Sequence, residues 1–393
     1  MVTLLMLTAM PTFAADANTD ITLGKKVTLH SKVLNEDRAL WIYPADALET
    51  KDAKRPVMFL LDGAAHFHHI TGLVHGLRQI GVAPNLLVVA LPNIDRNRDF
   101  LPTKTERIPT SGKADNFLAF FKKELIPYME KNYNAAPMRI LFGHSFGGVF
   151  NFHALFSEPD LFKVHIAVSP SLWYDDEVLV KKGKEFFKKN KDMQGFLYYT
   201  IGGDEGARMK NGANNLFDIL KQDAPKDLNW EYQLVPNETH GSVPHITAYK
   251  ALRKLFADWR YNAFEDRENQ SLNLMLSHFE KLSKKYGYEI IPPEGAVNNF
   301  GYLFVRMKKF AKAIEVFNYN VKHYPGSSNV YDSLAEAYEK NGDLKSAKPN
   351  YANAVKIAEK KGQANLNVFK KNLKRVTDAL KKGKKKKKKK KKS

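Results

Sequence analysis

Two hydrophobic patterns alternate along residues 20–262: continuous apolar runs and segments with helical periodicity. Runs of consecutive apolar residues predict buried strands at VMFLL (57–61), LLVVA (86–90), RILFG (139–143), VHIAVS (164–169), FLYYTIG (196–202) and WEYQLVP (230–236). Helical periodicity lies between these runs, most clearly at 115–132, 146–157, 208–222 and 243–260. Buried strands that alternate with helices indicate an α/β fold with a mostly parallel sheet covered on both faces. An antiparallel hairpin over about 25–43 is predicted to add an edge to this sheet.

The pattern changes after residue 262. Residues 263–293 are more polar and predict a helical linker that ends in Pro292-Pro293. A period of 34 residues follows, in which small and aromatic residues recur, and such a period is typical of tetratricopeptide repeats. Residues 294–380 are therefore predicted to form a small all-α module of two repeats and a capping helix. The matched positions are Gly301 and Ala335, Phe304 and Tyr338, Ala313 and Ala347, and Phe317 and Tyr351.

The first residues, MVTLLMLTAMPTFA, resemble a secretory signal. A short apolar segment precedes Thr12-Phe13-Ala14, which offers small residues for cleavage, although the usual positive start is missing. The segment is too short to span a bilayer. We expect residues 1–14 to be a signal peptide and the protein to be exported, to the periplasm in a bacterium. A buried N-terminal strand is the alternative.

Net charge and cysteine content narrow the function classes. The formal net charge is +20, but 11 of these charges lie in the poly-lysine tail, and the rest of the chain carries only +9. A lysine block repels itself, so residues 381–393 are predicted to be a disordered tail without specific nucleic-acid binding. The chain has no cysteine, which excludes disulfides and a thiol nucleophile. A hydrophobic content of 44% allows a sizeable core.

The pentapeptide Gly143-His144-Ser145-Phe146-Gly147 is the first candidate for chemistry. A Gly-x-Ser-x-Gly pattern alone is weak and could be a glycine-rich turn without function. Here it follows an apolar strand and opens a predicted helix, which is the setting of the nucleophile elbow of the α/β-hydrolase fold. Ser145 is therefore the candidate nucleophile, at a helix N-terminus whose dipole favours a developing oxyanion.

A serine hydroxyl needs a base, and the base needs an acid. His240, in the polar segment NETHGSVPH after the last predicted strand, is the expected base. His245 is the local competitor, but it opens a predicted helix. The acid is expected after the strand FLYYTIG, where Asp204 and Glu205 are adjacent, and spacing does not choose between them. The chain order serine, acid, histidine is that of α/β-hydrolases.

An oxyanion hole needs two backbone N–H groups. Phe146 supplies one, directly after the nucleophile, and Ala64 is expected to supply the other from a loop within LLDGAAHFHH. His66 and His68 in this segment are predicted to line the substrate pocket. Their spacing is not a strong zinc pattern, and no acidic or cysteine partner stands beside them. No metal or cofactor is expected.

Several ordered motifs together resemble a known family. The pieces LLDGAAHFHH, VALPNIDRNRDFLPT, GHSFGG, SPSLWYDD, TIGGDEGARM and ETHGSVPH span about residues 57–245. They resemble the esterase family of α/β-hydrolases that includes enterochelin-esterase-like enzymes, S-formylglutathione hydrolase and the mycolyltransferases. The similarity is greatest to exported bacterial members that carry C-terminal tetratricopeptide repeats.

This resemblance implies roles for particular residues. It implies Ser145 as nucleophile and His240 as base, and it favours Glu205 over Asp204 as the acid. It also places Trp173 in the acyl or alcohol pocket. The equal alternative is that Trp173 is a half-buried aromatic that only packs against its neighbours.

The segment DRNRD carries two arginines near a strand's carboxyl end. Arg96 and Arg98 could bind an anionic group of the substrate. The alternative is that they form ion pairs with Asp95, Asp99 or Glu106. Arg98 is retained as a candidate substrate-binding residue.

The sequence thus predicts a serine hydrolase that acts on carboxylic esters through an acyl-enzyme and needs no cofactor. A siderophore esterase or an acyltransferase is the alternative within the class. A scaffold that binds a protein partner through the repeat module, with a vestigial hydrolase core, is the alternative from another class.

Overall fold

The computed structural model describes residues 22–43, 53–263 and 268–390, with side chains as far as residue 383. The predicted signal peptide at 1–14 lies outside the described residues. Among the described residues, no helix has both the length and the apolar character needed to cross a membrane.

Eight strands form one sheet in the order β1-β2-β4-β3-β5-β6-β7-β8. The pairs β1–β2 and β2–β4 are antiparallel, whereas β4–β3 and all later pairs are parallel. The predicted hairpin therefore forms the edge of a mostly parallel sheet, as expected. The strands are β1 Lys25–Ser31, β2 Glu36–Tyr43, β3 Arg55–Leu60, β4 Leu87–Ala90, β5 Ala135–His144, β6 Val164–Val168, β7 Gly195–Gly202 and β8 Leu228–Val235.

Helices connect the parallel strands and cover both faces of the sheet. They are α1 Gly63–Gln79, α2 Arg96–Phe100, α3 Ala114–Phe120, α4 Ile126–Tyr133, α5 Phe146–Ser157, α6 Tyr174–Lys189, α7 Ala207–Asp223 and α8 Val243–Leu255. A π-helical turn, Phe121–Leu125, joins α3 to α4, so the single helix predicted at 115–132 has three consecutive parts. This arrangement confirms the predicted α/β-hydrolase fold.

The central strands are buried because both of their faces are apolar. On one face Val74 of α1 and Leu252 of α8 pack with alternate strand residues in one hydrophobic cluster. On the other face Phe150 of α5 and Phe117 of α3 pack in a second cluster. Every residue of β4 is fully buried, which explains why its sequence is a continuous apolar run.

Six helices follow the sheet domain in the described part of the chain. The predicted linker contains α9 Leu272–Tyr286, and α10 Glu294–Arg306, α11 Phe310–His323, α12 Ser328–Lys340, α13 Leu344–Lys360 and α14 Leu366–Lys390 come after it. The hairpin α12–α13 begins 34 residues after the hairpin α10–α11, which agrees with the period in the sequence. The architecture is compatible with the predicted all-α module, and the assignment of the repeat family stays a prediction.

The helical region packs directly on the sheet domain. The hydrophobic cluster that contains α1 and α8 continues through Trp259 and Phe279 to Phe300 of α10. The ring centroids of Trp259 and Phe279 are 6.2 Å apart, and Tyr286 Oη donates a hydrogen bond to the Leu255 carbonyl at 3.0 Å. The two regions therefore share one core.

The C-terminal helix is longer than the sequence predicts. The capping helix was expected over 366–380, followed by a disordered tail, but α14 continues to Lys390. The backbone of residues 381–390 is therefore helical here, in contrast to the prediction. Residues 391–393 lie outside the described residues.

Close contact between α10 and α11 provides a stability test. A methyl group added at Gly301 would lie 2.4 Å from Cε1 of Phe317, whose ring is fully buried. We expect Gly301→Ala to lower the free energy of unfolding by about 1–3 kcal/mol, because overpacking outweighs the gain in helix propensity. Urea unfolding followed by circular dichroism measures this.

The matched control is Gly295→Ala in the same helix. A methyl group at Gly295 meets nothing within 4 Å. This variant should be neutral or more stable by up to about 1 kcal/mol. Equal stability of both variants would show that the two helices do not approach as closely as described.

Candidate active site

The candidate site lies at the carboxyl edge of the sheet. Turns after β3, β5 and β8 bring Asp62, Ser145 and His240 around one open cavity of about 860 Å³. Ligands of open α/β sheets bind at this edge. The other lining residues are Ala64, Ala65, His66, His69, Asn93, Arg96, His144, Gly241, Ser242, Pro244 and His245.

Ser145 lies on a strained turn between β5 and α5. Its backbone angles are φ 62° and ψ −116°, a region that non-glycine residues rarely adopt. The Ser145 N–H donates to the Val168 carbonyl of β6 at 2.9 Å, which holds the turn against the sheet. The strand, tight turn and helix expected around Ser145 are present in the structure, and Ser145 lines the cavity rather than the core.

Gly143 permits this turn because the chain doubles back on itself. A Cβ at position 143 would lie 2.1 Å from the Gly147 carbonyl oxygen. No side chain can occupy that space without moving the backbone of α5. The first glycine of the pentapeptide is therefore a steric requirement of the elbow.

Glu205 is the carboxylate that contacts His240. Its Oε2 accepts a hydrogen bond from His240 Nδ1 at 2.7 Å. Its Oε1 accepts from Ser169 Oγ at 2.5 Å and from the Gly202 N–H at 2.7 Å. Asp204, the alternative acid, is exposed. The geometry thus favours Glu205, as the resemblance implied, while spacing alone could not choose.

The surroundings keep Glu205 ionised. Burial works to raise the pKa of Glu205, but the hydrogen bonds from His240, Ser169 and the Gly202 N–H outweigh burial, and the pKa lies below its ordinary value. An ionised carboxylate at Nδ1 holds the hydrogen on that nitrogen. His240 Nε2 is then the nitrogen that can accept a proton.

Ser145 and His240 line the same cavity, but no hydrogen bond between their side chains is present among the described residues. The neighbour of Ser145 Oγ is Ser171 Oγ at 3.4 Å. Catalytic hydrogen bonds are often long in unliganded structures and shorten when substrate binds.

The two expected oxyanion donors both lie at helix N-termini. Ala64 is in the first turn of α1, and Phe146 is the first residue of α5. Within the described ranges, neither N–H donates a hydrogen bond to another protein group. The prediction of a loop around Ala64 was wrong, because the helix begins at Gly63, directly after Asp62 in the left-handed conformation (φ 52°).

An ion pair that the sequence reasoning missed connects these turns. Asp62 accepts from Arg96 Nε at 2.6 Å and Nη2 at 3.0 Å, and from Asn93 Nδ2 at 2.6 Å. Arg96 Nη2 also donates to the His144 carbonyl at 3.1 Å. Arg96 therefore joins the first turn of α1 to the nucleophile elbow. The alternation of charges in DRNRD gave no signal for Asp62 as the partner, since 34 residues separate the pair.

Histidines form one wall of the cavity. His66 Nδ1 and His69 Nε2 are 2.9 Å apart, and the His69 ring centroid is 5.3 Å from that of His245. Burial and neighbouring imidazoles lower the pKa of His66 and of His69 to about 4, so both rings are neutral at pH 7. Among the described residues, no group of three or more His, Asp or Glu side chains is arranged to hold a metal ion.

Two predicted pocket residues lie elsewhere. His68 is exposed, on a different side of α1 from His66, and does not line the cavity. Arg98 donates to Glu36 at 2.6 and 2.9 Å and to Asp99 at 2.8 Å. The prediction of a substrate contact for Arg98 is thus corrected: its charge is used in an ion-pair network behind the site. The sequence did not predict Glu36 as a partner, because it lies on β2, 62 residues before Arg98.

Trp173 also lies outside the cavity lining. Its Nε1 donates to Met209 Sδ at 2.9 Å, and the Arg208 guanidinium lies 3.9 Å from its ring centroid. Its ring centroid is 6.1 Å from that of Phe146. These contacts match the alternative of a half-buried packing aromatic.

The segment SPSLWYDD holds two serines for which the sequence predicted no role. Ser169 donates to the triad carboxylate candidate Glu205, and Ser171 lies beside Ser145. Their positions directly after β6, the strand between those that carry Ser145 and Glu205, were the available signal.

The fold and the elbow define a member of the α/β-hydrolase class. A family model, described as "Putative esterase", matches residues 31–242, which is more than half of the chain. The chain belongs to this family, as the sequence motifs indicated, and it is an ester-hydrolysing enzyme.

Individual relatives agree with this assignment. Ferri-bacillibactin esterase BesA of Bacillus subtilis (strain 168) is 29% identical over 246 residues, which are 56% of this chain and 85% of that relative. An IroE-like serine hydrolase from Shewanella oneidensis superposes with a TM-score of 0.66 at 27% identity, over 76% of this chain and 98% of its own.

A third structure extends the match in fold. An uncharacterised protein from Capnocytophaga ochracea DSM 7271 has a TM-score of 0.60 at 16% identity, over 90% of this chain and 99% of its own. At this identity the likeness concerns the fold alone. Its coverage includes most of the C-terminal helices as well as the sheet domain.

Proposed function

We propose that this esterase uses Ser145, His240 and Glu205 as a catalytic triad and proceeds through an acyl-enzyme. The observation that carries the proposal is the 2.7 Å hydrogen bond from His240 Nδ1 to Glu205, with Ser145 on the same cavity. A histidine oriented by a carboxylate, opposite a serine on a strained elbow, is the arrangement that activates a hydroxyl nucleophile.

The first half-reaction forms the acyl-enzyme. Ser145 Oγ attacks the ester carbonyl carbon while His240 Nε2 takes the hydroxyl proton. The carbonyl oxygen becomes an oxyanion, which the N–H groups of Ala64 and Phe146 stabilise. The C–O bond to the alcohol then breaks, and the imidazolium of His240 donates its proton to the leaving oxygen.

The second half-reaction releases the acid. His240 Nε2 takes a proton from water, whose oxygen attacks the acyl carbon, and the same two N–H groups stabilise the second oxyanion. When the bond to Ser145 Oγ breaks, His240 returns the proton to the serine. Glu205 stays ionised throughout and stabilises the imidazolium, because its pKa is lowered.

For the substrate class we propose ester bonds of a siderophore. The support is the relative named as a ferri-bacillibactin esterase, since the matched region covers 85% of that protein and 56% of this chain. The cavity is open and about 860 Å³ in volume, which leaves room for a large substrate.

The substrate proposal is tested with bacillibactin, free and iron-loaded, against p-nitrophenyl acetate and butyrate. Purified protein should hydrolyse one siderophore form with a kcat/KM at least about 100-fold above that of the simple esters, because remote binding energy lowers the barrier. Products are identified by mass spectrometry.

If the siderophore stays intact while the simple esters are hydrolysed rapidly, the protein is instead a general carboxylesterase. Formation of a transesterified product when an alcohol competes with water would favour the acyltransferase alternative. Export to the periplasm and a protein partner for the helical region remain proposals that rest on the sequence patterns.

A further inference from the structure

The residue before the nucleophile contacts the loop that carries the base. His144 Nε2 lies 2.9 Å from the main-chain oxygen of His240. The ring centroids of His144 and His240 are 4.5 Å apart, with the planes inclined by 40°. Position 144 is the variable position of the elbow pentapeptide, and the role of the α/β-hydrolase elbow does not by itself assign it a function.

The hydrogen bond has a defined direction. A carbonyl oxygen can only accept, so the hydrogen lies on His144 Nε2. Burial, together with the nearby imidazoles of His240 and His66, lowers the pKa of His144 to about 4. The ring is therefore neutral at pH 7 and places no second positive charge beside the imidazolium that forms on His240.

The loop that carries His240, residues 236–242 (the base loop), is largely exposed to solvent. The His240 side chain is 42% exposed, whereas Glu205 is 3% exposed by the same measure. A methyl group on the next residue, Gly241, would meet nothing within 4 Å. The Glu205 hydrogen bond orients the ring through Nδ1, and the hydrogen bonds between Thr239 and Ser242 stay within the loop. Neither of these joins the main chain of His240 to the elbow.

The elbow, in contrast, is rigidly held. The His144 carbonyl accepts from Arg96 Nη2 at 3.1 Å, and the Ser145 N–H donates to the Val168 carbonyl at 2.9 Å. His144 belongs to both β5 and the elbow, so its side chain extends from the same rigid element that holds the nucleophile.

We propose that His144 is a positioning residue that anchors the backbone of His240 to the nucleophile elbow and thereby sets the distance between Ser145 Oγ and His240 Nε2. The inference rests on the proposed triad. Its physical basis is that proton transfer requires this distance to be near hydrogen-bond length, and a shift of about 1 Å can reduce the rate by about 10²-fold.

Three variants separate the hydrogen bond from the ring. His144→Ala removes both, His144→Phe keeps an aromatic ring without the N–H donor, and His144→Gln keeps a donor without the ring. We expect kcat for p-nitrophenyl acetate to fall about 10- to 100-fold in the Ala and Phe variants, with KM changed less than about threefold. His144→Gln should recover kcat to within about fivefold of wild type.

His30→Ala provides the matched control. His30 is an exposed histidine of β1, far along the chain from the site, and its replacement should leave kcat unchanged. Thermal unfolding of every variant shows whether a loss of activity is a loss of fold. If His144→Ala fails to fold, the comparison of the Phe and Gln variants still decides the proposal.

The outcomes distinguish this inference from the triad on which it rests. Full activity of His144→Phe, or equal losses in the Phe and Gln variants, would overturn the positioning role while Ser145→Ala remains inactive. If Ser145→Ala itself keeps activity, the triad is wrong and the inference falls with it.

Discussion

Ser145→Ala is expected to reduce ester hydrolysis by about 10⁴-fold or more, since removing the nucleophile of a serine triad leaves only binding and oxyanion stabilisation. The fold should be retained, because alanine and serine meet the same backbone strain at φ 62°. Steady-state hydrolysis of p-nitrophenyl acetate and far-ultraviolet circular dichroism measure the two effects.

Ser171→Ala is the control for the neighbouring hydroxyl, which lies 3.4 Å from Ser145 Oγ. A fluorophosphonate probe should label wild type and Ser171→Ala, and it should not label Ser145→Ala. Labelling that disappears in Ser171→Ala and persists in Ser145→Ala would show that Ser171, and not Ser145, is the nucleophile.

Glu205→Gln is expected to lower kcat by roughly 10²- to 10⁴-fold, because a neutral amide neither stabilises the imidazolium nor selects its tautomer. The side chain keeps its shape, so the pocket around it should be preserved. Asp204→Asn, one residue earlier and exposed, should change kcat by less than about threefold. Steady-state kinetics on the two purified variants compare the adjacent carboxylates directly.

The expected difference in kcat between Glu205→Gln and Asp204→Asn depends on the contacts of both carboxylate oxygens of Glu205. In Glu205→Gln the amide oxygen can still accept from Ser169 and the Gly202 N–H, which bond Oε1 of the glutamate at 2.5 and 2.7 Å. Thermal unfolding near that of wild type is therefore expected. A large loss in Asp204→Asn with an active Glu205→Gln would contradict the assignment of the acid.

The strands and the elbow could be predicted because their signals are local. Strands such as Leu87–Ala90 are buried on both faces, and this burial requires a continuous apolar run. The elbow needs glycine at 143, because a Cβ there would clash with the Gly147 carbonyl. Five consecutive residues are therefore enough to predict it.

The start of α1 was missed because the side chain of the residue before it bonds to a distant segment. Asp62 adopts a left-handed conformation, and its side chain bonds Arg96 and Asn93 instead of capping the helix. The sequence GAAHFHH then has no capping signal that would separate a helix from a loop. The long-range ion pair, rather than helix propensity, accompanies the helix start at Gly63.

The ion-pair partners of charged side chains near the site could not be predicted from the sequence, because these partners lie on elements that are distant along the chain. Arg96 contacts Asp62, and Arg98 contacts Glu36 of β2. The two arginines of DRNRD thus have different surroundings, one on the cavity and one behind it.

The sequence by itself determined the class of fold, the family and the nucleophile candidate, since apolar periods and a five-residue turn depend only on neighbours along the chain. Only the tertiary structure decided which carboxylate orients His240, which arginine faces the cavity, and that His144 contacts the base loop. Those choices depend on distances between turns at the ends of different strands, for example 35 residues between Glu205 and His240 and 96 between His144 and His240. Packing of the sheet sets these distances, and spacing along the chain does not encode them.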